Sequence, residues 1–356
     1  MNKYNIVLIG HGVPILGAIG ILANTIVITA LTRSEELSAH FFNWLLTVVT
    51  IIDSLFLACG IYEAIRQNLD DSPFMDLIHV TIIYPFRSML MLASIYMIVL
   101  LAYERHKAVS TVTAYEGNVN RMSHPWWHLM KYVMPVISGS IIFYLPKFWE
   151  LKLKYSTLEA SVNATYTEQQ NISNKSSGPE IIFTPFRHNR SYVLWYVTIG
   201  CTFVTSILPF SLLVYLNSKV YFGLQRFIVR RRTLIPLRED KNTPSTNQRT
   251  VPKESHTTVL FLMVSVFFVC NILRLILNIS EIMNHENERK ASENECLGVY
   301  YWMLIATVIS NTLVYLNSSV NLFVYCIANP RLREILMTTM IRPTYDYVAK
   351  LVSQFW

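Results

Sequence analysis

Asp53 is the single charge in residues 41–62, and Arg87 is the single charge in residues 77–103. A charge within so long an apolar run is costly unless it has a partner, so each one marks a candidate site. Asn24 lies midway along an uncharged run at 4–32. Asn317, Ser318, Ser319 and Asn321 fall within about one helical turn of each other in another uncharged run, 296–330. Polar groups in such surroundings must face one another or enclosed water. They predict either interhelical glue or a polar core that repacks between two states. Glu104-Arg105-His106 closes the third apolar run. Neighbours on a helix do not face each other, yet an arginine can reach back to an adjacent carboxylate, which would restrain Arg105. A final group comprises Glu63, Arg87, Arg274 and Glu281, with Tyr62, Phe86, Tyr192, Trp195 and Trp302 nearby along the chain. The ionisable pairs could hold a charged ligand or form structural ion pairs; Trp195 and Trp302 read more naturally as membrane-interface anchors.

These residues need long apolar elements to position them. The chain has 356 residues, 52% of them hydrophobic and 15% charged, against roughly 25% charged in a soluble domain. Residues 4–32, 191–218 and 296–330 contain no Asp, Glu, Lys or Arg, and each exceeds the roughly 20 residues that cross a bilayer. The runs are too long for barrel strands. The pattern predicts an all-α membrane protein, a seven-transmembrane helix bundle with a short amphipathic eighth helix. The spans are expected at about 6–32, 41–64, 75–107, 129–149, 191–221, 256–282 and 297–327. Helix 8 is expected over 330–342, closing a receptor domain over 1–342, and 343–356 form a cytoplasmic tail. The fourth span is the weakest. The first run is too long for a cleaved leader and is expected to act as a signal anchor.

Lys and Arg gather at Arg33, Arg105, Lys107 and Arg121, through 223–256 and along 331–350. Positive charge stays on the cytoplasmic side, so the N-terminus is expected outside and the C-terminus inside a plasma membrane. Four glycosylation sequons, at Asn163, Asn171, Asn174 and Asn189, all fall in the opposite loop, 150–191. The basic balance of +7 therefore reflects topology rather than nucleic-acid binding. The cysteines form no disulfide framework. No metal-spaced His/Cys cluster, phosphate-cradling loop or catalytic constellation is present, so neither an enzyme nor a cofactor is expected.

Asn24, Asp53, Glu104-Arg105-His106, Pro209 and Asn321-Leu-Phe-Val-Tyr325 resemble the markers of the rhodopsin-like (class A) G-protein-coupled receptor family in spans one, two, three, five and seven. SIYMIVLLAYERHKAV from Ser94, SIIFYLPKFWEL at 140–151, LPFSLLVYLNSKVY at 208–221 and LNSSVNLFVYC at 316–326 look similar to invertebrate FMRFamide-type neuropeptide receptors. The resemblance implies a peptide ligand at the outer helix ends, lined by Glu63, Arg87, Arg274, Glu281, Tyr62, Phe86 and Tyr315. It also implies a heterotrimeric G protein and arrestin as partners at the inner face, with Glu104, Arg105, Asn321 and Tyr325 in activation. Receptors for biogenic amines hold an Asp where this chain has Arg87, and retinal needs a Lys where it has Tyr315. Leu273 and Leu322 stand where proline is usual, Asn271 where an aromatic switch residue is usual, and Val80 where a disulfide cysteine is usual. The 150–191 loop has no cysteine either. The lost prolines leave open a seven-span chemoreceptor for small molecules or a weakly signalling receptor. A channel or transporter would need inverted repeats, which the sequence does not display.

Glycosidase treatment of the expressed protein should increase its gel mobility to that of a variant lacking all four sequon asparagines. A wild type that already runs with that variant would count against the topology.

Overall fold

A computed structural model describes residues 12–33, 41–68, 72–114, 125–154, 180–234, 254–293, 301–328, 330–336 and 338. The helices are α1 (Val13–Arg33) and α2 (Phe41–Asn68). Then α3 runs as Pro73–Ile78, His79–Ile83 and Tyr84–Ala114, and α4 as Pro125–Tyr144 with a closing tight turn at Leu145–Trp149. A hairpin follows, β1 (Leu151–Lys154) antiparallel to β2 (Glu180–Phe183), in the register Leu151 to Phe183 and Lys154 to Glu180. Next come α5 (Tyr192–Gly200, Phe203–Ile207 and Leu208–Leu234) and α6 (Glu254–Glu293). The last elements are α7, in two halves at Tyr301–Ser319 and Asn321–Ala328, and α8 (Pro330–Leu336). The short hairpin lies between α4 and α5, and the fold is otherwise the expected helical bundle.

Six of these stretches are long and apolar enough to cross a membrane: Val13–Arg33, Phe41–Gln67, Pro73–Ser110, Leu129–Trp149, Tyr192–Gly223 and Phe261–Ser280. The helix α7 is more polar, because Asn311, Thr312, Asn317, Ser318 and Ser319 sit within it. One face of each helix is packed and the other carries exposed apolar side chains. On α1, Ile15, Ile19 and Leu22 point outward, while Ala23, Val27 and Leu31 are buried. On α6, Val269, Ile272, Ile276 and Ile279 point outward and Phe267 is fully buried. Outward apolar stripes of this kind suit hydrocarbon rather than water. The helix α3 runs through the centre, packed against α2, α4, α5 and α6, while α1 packs on α2 and α7. Over the described part of the eighth helix, Leu332 and Leu336 turn inward and Arg333 and Glu334 outward, as one amphipathic turn requires. Residues 339–342 of the expected helix 8, and the tail 343–356, lie outside the described residues.

Proline shapes two of the helices. Pro85 and Pro209 each follow a wider, π-type turn, His79–Ile83 and Phe203–Ile207. Proline has no N–H and clashes with the carbonyl four residues back. Widening the turn relieves this, and the ladder shifts by one residue: the Tyr84 N–H donates to the His79 carbonyl and the Leu208 N–H to the Phe203 carbonyl. The helix α7 passes Val320 with its ladder intact, the Val320 N–H donating to the Leu316 carbonyl and the Val324 N–H to the Val320 carbonyl, both at 3.1 Å, and Leu322 stands where proline is expected. The Ser318 carbonyl accepts from the side-chain amides of Asn24 at 3.1 Å and Asn321 at 3.5 Å.

Glu150 anchors the outer loop. It is fully buried, and its carboxylate accepts from the hydroxyls of Tyr84 on α3 and Tyr192 on α5, the latter at 2.7 Å. Lys147 donates to it at 3.2 Å, and Arg187 lies at 3.7 Å. Its backbone carbonyl accepts from the Thr184 N–H at 3.0 Å, which joins the hairpin to the end of α4. One residue thus ties α3, α4, α5 and the hairpin together. Burial pushes its carboxyl up, but the charge of Lys147 and the hydrogen bonds from Tyr84, Tyr192 and Lys147 outweigh that and hold it below the usual carboxylate range.

Glu150→Ala should lower the stability of the detergent-purified protein by about 3–5 kcal/mol at neutral pH, because Lys147 loses its buried partner. A depressed carboxylate stabilises above its unfolded pKa, and the effect is lost as pH falls through its folded pKa. The melting temperatures of wild type and variant should therefore converge on acidification below the ordinary carboxylate range. A gap that stays constant with pH would refute this account of Glu150.

Candidate functional site

A small cleft of about 60 Å3 lies between α2, α3, α6 and α7. Its walls are Phe56 from α2, Arg87, Ser88 and Met91 from α3, Arg274 from α6, and Asn311, Val314 and Tyr315 from α7. Spacings of three and four residues put each helix's contribution on one face. Arg87 is held by two partners: Glu63 at 3.1 Å across α2, and the Tyr315 hydroxyl, which accepts from it at 3.0 Å. The Tyr315 ring stacks on Phe56, with centroids 5.1 Å apart. That ring fits because residue 60 is glycine. A Cβ at Gly60 would overlap the Tyr315 ring. Arg274 donates to the Met91 sulfur at 2.8 Å, a weak and neutral acceptor.

Directly beneath the cleft lies a polar core. Asp53 is 2% exposed. Its Oδ1 accepts from Ser94 at 2.6 Å and Ser318 at 3.1 Å, and its Oδ2 accepts from Asn321 at 2.8 Å. Asn24 joins through its bond to the Ser318 carbonyl. Helices α1, α2, α3 and α7 therefore meet at one carboxylate. Three of the cleft residues lie three positions from the hub residues: Phe56 from Asp53, Met91 from Ser94, and Tyr315 from Ser318. Three residues are about 4.5 Å of helix, so the floor of the cleft is the roof of the core. Ser319 donates to the Tyr315 carbonyl at 2.8 Å and reaches the Leu16 carbonyl at 3.4 Å, fastening α7 to α1.

At the inner end, the Arg105 guanidinium lies 3.9 Å from the centroid of the Phe42 ring on α2. This cation–π contact is the restraint on Arg105 that the geometry displays. Glu104 beside it is half-buried. Tyr325 is 1% exposed in the second half of α7.

The expected site residues fall into three groups. Glu63, Arg87, Arg274 and Tyr315 come together at the cleft, and Asn24, Asp53, Ser318 and Asn321 at the core. Others do not join. Phe86 is 40% exposed and turned away from the cleft wall, because its neighbour Arg87 takes the inward face and adjacent helical residues point about 100° apart. The Tyr62 hydroxyl donates to the Met75 carbonyl at 2.9 Å, bracing the start of α3 rather than lining the cleft. Asn317 is half-buried and makes none of the hub's bonds. Asp76 is engaged by Arg66 at 2.8 Å. The side chains of Glu281 and Trp302, and the sequons at Asn163, Asn171 and Asn174, lie outside the described residues. Asn189 is exposed, and its Oδ1 accepts from the Ser191 and Tyr192 N–H groups at the start of α5. Phe42, Phe56, Met91, Ser94 and Asn311 are site residues that sequence reasoning did not single out. The available signal was helical spacing: Met91 is one turn inward of Arg87, and Ser94 one turn further.

The family pattern described as 7 transmembrane receptor (rhodopsin family) matches residues 23–325, from the middle of the first helix through Tyr325. The chain belongs to that family. Rhodopsin-family proteins are receptors rather than enzymes, and the match implies seven spans, the polar α7 being the seventh. Among its relatives, the FMRFamide receptor of Drosophila melanogaster is 25% identical over 350 residues, covering 94% of this chain and 54% of that protein. A probable G-protein coupled receptor of Caenorhabditis elegans is 21% identical over 339 residues, covering 91% of this chain and 76% of that protein. This rhodopsin-family chain thus spans about half the length of its fly relative.

Gly60→Ala should cost about 1–3 kcal/mol of stability by overpacking against Tyr315. Gly139→Ala on α4, where a Cβ meets nothing within 4 Å, should change stability by no more than about 0.5 kcal/mol. Thermal unfolding of the two variants side by side checks this, and equal melting temperatures would refute the close approach of α2 and α7.

Proposed function

We propose that the chain is a G-protein-coupled receptor for a neuropeptide, of the FMRFamide-like kind, acting at the plasma membrane with its N-terminus outside. The observation that carries the reading is the stacking of the outward cleft on the Asp53 core. A ligand that moves Tyr315 or Met91 acts on Ser318 and Ser94 one helical turn away. Asn321 and Tyr325 lie within two turns of Ser318 on α7, so they respond with it. Opening of the inner face would take Arg105 off Phe42 and present it to a heterotrimeric G protein, with arrestin using the same face. A ligand shifts such an equilibrium only through its different affinity for the two states. The name of the fly relative, an FMRFamide receptor, supports the peptide class. Glu63, Asp76 and Glu150 are each engaged by a basic side chain, so Glu281, on α6 seven residues beyond Arg274, is the proposed acceptor for a basic group of the peptide.

A second reading, a receptor for a small molecule, draws on the size of the cleft. About 60 Å3 holds a group of only a few atoms, against roughly 300–1,000 Å3 in ligand sites. A cell-based second-messenger screen with amidated peptides on one side and small molecules on the other separates the two.

With whichever ligand activates the receptor, Arg105→Ala should abolish most G-protein activation at equal surface expression. Ligand affinity should stay within about threefold, under 1 kcal/mol. A variant that signals normally would remove Arg105 from the proposed mechanism.

A further inference from the structure

The charges around the cleft do not balance. Two arginines, Arg87 and Arg274, face it, and none of its lining residues is acidic. Arg87 is matched by Glu63 at 3.1 Å. Arg274 has no carboxylate within ion-pair distance among the described residues; its contact is the Met91 thioether. A guanidinium cannot shed its proton to escape this position. Held half-buried without a counter-charge, it carries a desolvation cost that nothing described in the protein offsets. Its fork of N–H donors suits a carboxylate, which it can grip with two parallel hydrogen bonds. Phe56, Met91 and Val314 around it are apolar, so the body that carries the anion should be apolar too, with Met91 a soft and adaptable wall.

We infer that the cleft is a carboxylate subsite, with Arg274 as its anchor, for the acidic end or acidic side chain of a ligand whose adjoining group is apolar. The inference rests on the reading of the outward cleft as the ligand site and specifies what enters it. It also divides the ligand. A basic group cannot approach Arg274 and stays at the rim, while the deepest group is an acceptor. The Arg87–Tyr315 pair then fixes the other wall, since the Tyr315 hydroxyl is occupied by Arg87 and Arg87 by Glu63. Because the carboxylate would lie against Met91, one turn above Ser94, its binding pulls α6 toward α3 over the Asp53 core.

The test uses two probes that differ in charge alone, N-acetyl-phenylalanine and N-acetyl-phenylalaninamide, with the detergent-purified full chain at constant ionic strength. Ligand binding raises the melting temperature in proportion to occupancy. The acid should stabilise the wild type, with an affinity at least about tenfold above the amide's. Arg274→Gln should weaken acid binding roughly 30-fold and leave the amide unaffected. Arg274→Lys, which keeps the charge without the fork, should fall between. Without probe, Arg274→Gln should melt at or above the wild type, because it removes an uncompensated cation. Equal stabilisation by acid and amide would overturn the inference, as would an acid effect unchanged in Arg274→Gln. So would no acid effect on the wild type at about 10 mM, or a lower melting temperature of probe-free Arg274→Gln, which would reveal a partner within the protein such as Glu281. A wild type that answers amidated peptides but does not prefer the acid sinks only the subsite. A clear acid preference with no answer to any peptide sinks only the peptide reading.

Discussion

One buried carboxylate sets the register of half the bundle. Asp53 is buried away from bulk solvent, so its oxygens need hydrogen-bond donors, which side chains from other helices supply. Ser94 serves it from α3, and Ser318 and Asn321 from α7. Each of those residues must arrive at one height and on one face, which fixes how far α2, α3 and α7 slide past one another. Asn24 extends the demand to α1 by gripping the Ser318 carbonyl. The apolar packing around it, with Val27, Leu57 and Met97 fully buried, supplies adhesion, but apolar contacts tolerate sliding better than hydrogen bonds do.

From that hub the outer cleft inherits its geometry. Phe56, Met91 and Tyr315 sit one turn above Asp53, Ser94 and Ser318 on the same helical faces, so the cleft cannot change shape without disturbing the core. Gly60 keeps the arrangement tight by letting the Tyr315 ring into the space a side chain would take. A contiguous path of packed and hydrogen-bonded groups connects the outside to Tyr325 and, along α3, to Arg105. Such a path supplies a physical route for coupling.

Much of this was legible in the sequence, for a physical reason. In hydrocarbon a polar side chain has few options, so isolated ones announce their partners: Asp53, Asn24, Ser318 and Asn321 could be grouped before any coordinates, as could Glu63 with Arg87. The long charge-free runs fixed the helical membrane class in the same way. What was not legible depended on angles and on neighbours of no distinctive chemistry. Phe86 and Arg87 are adjacent, and which one turns inward is decided by packing. Phe42 looks like any aromatic residue in an apolar run until Arg105 lies across it. The hairpin strands, LKLK and EIIF, are four residues each and distant in sequence, too short for periodicity to reveal. Arg274 read as one of several ionisable residues, and its lack of a described counter-charge emerges only from knowing where the carboxylates are.

The manner in which Glu150 fastens the outer loop has a consequence for how the protein matures. Its bonds to Tyr84, Tyr192 and Lys147 join the hairpin to α3 and α5, and the 150–191 loop has no cysteine to do so covalently. A hydrogen-bonded clasp forms at the speed of folding. It requires no oxidant or isomerase, and reductants do not open it. A cap fastened in this way can assemble in any redox environment, and it can release and re-form repeatedly during the life of one molecule.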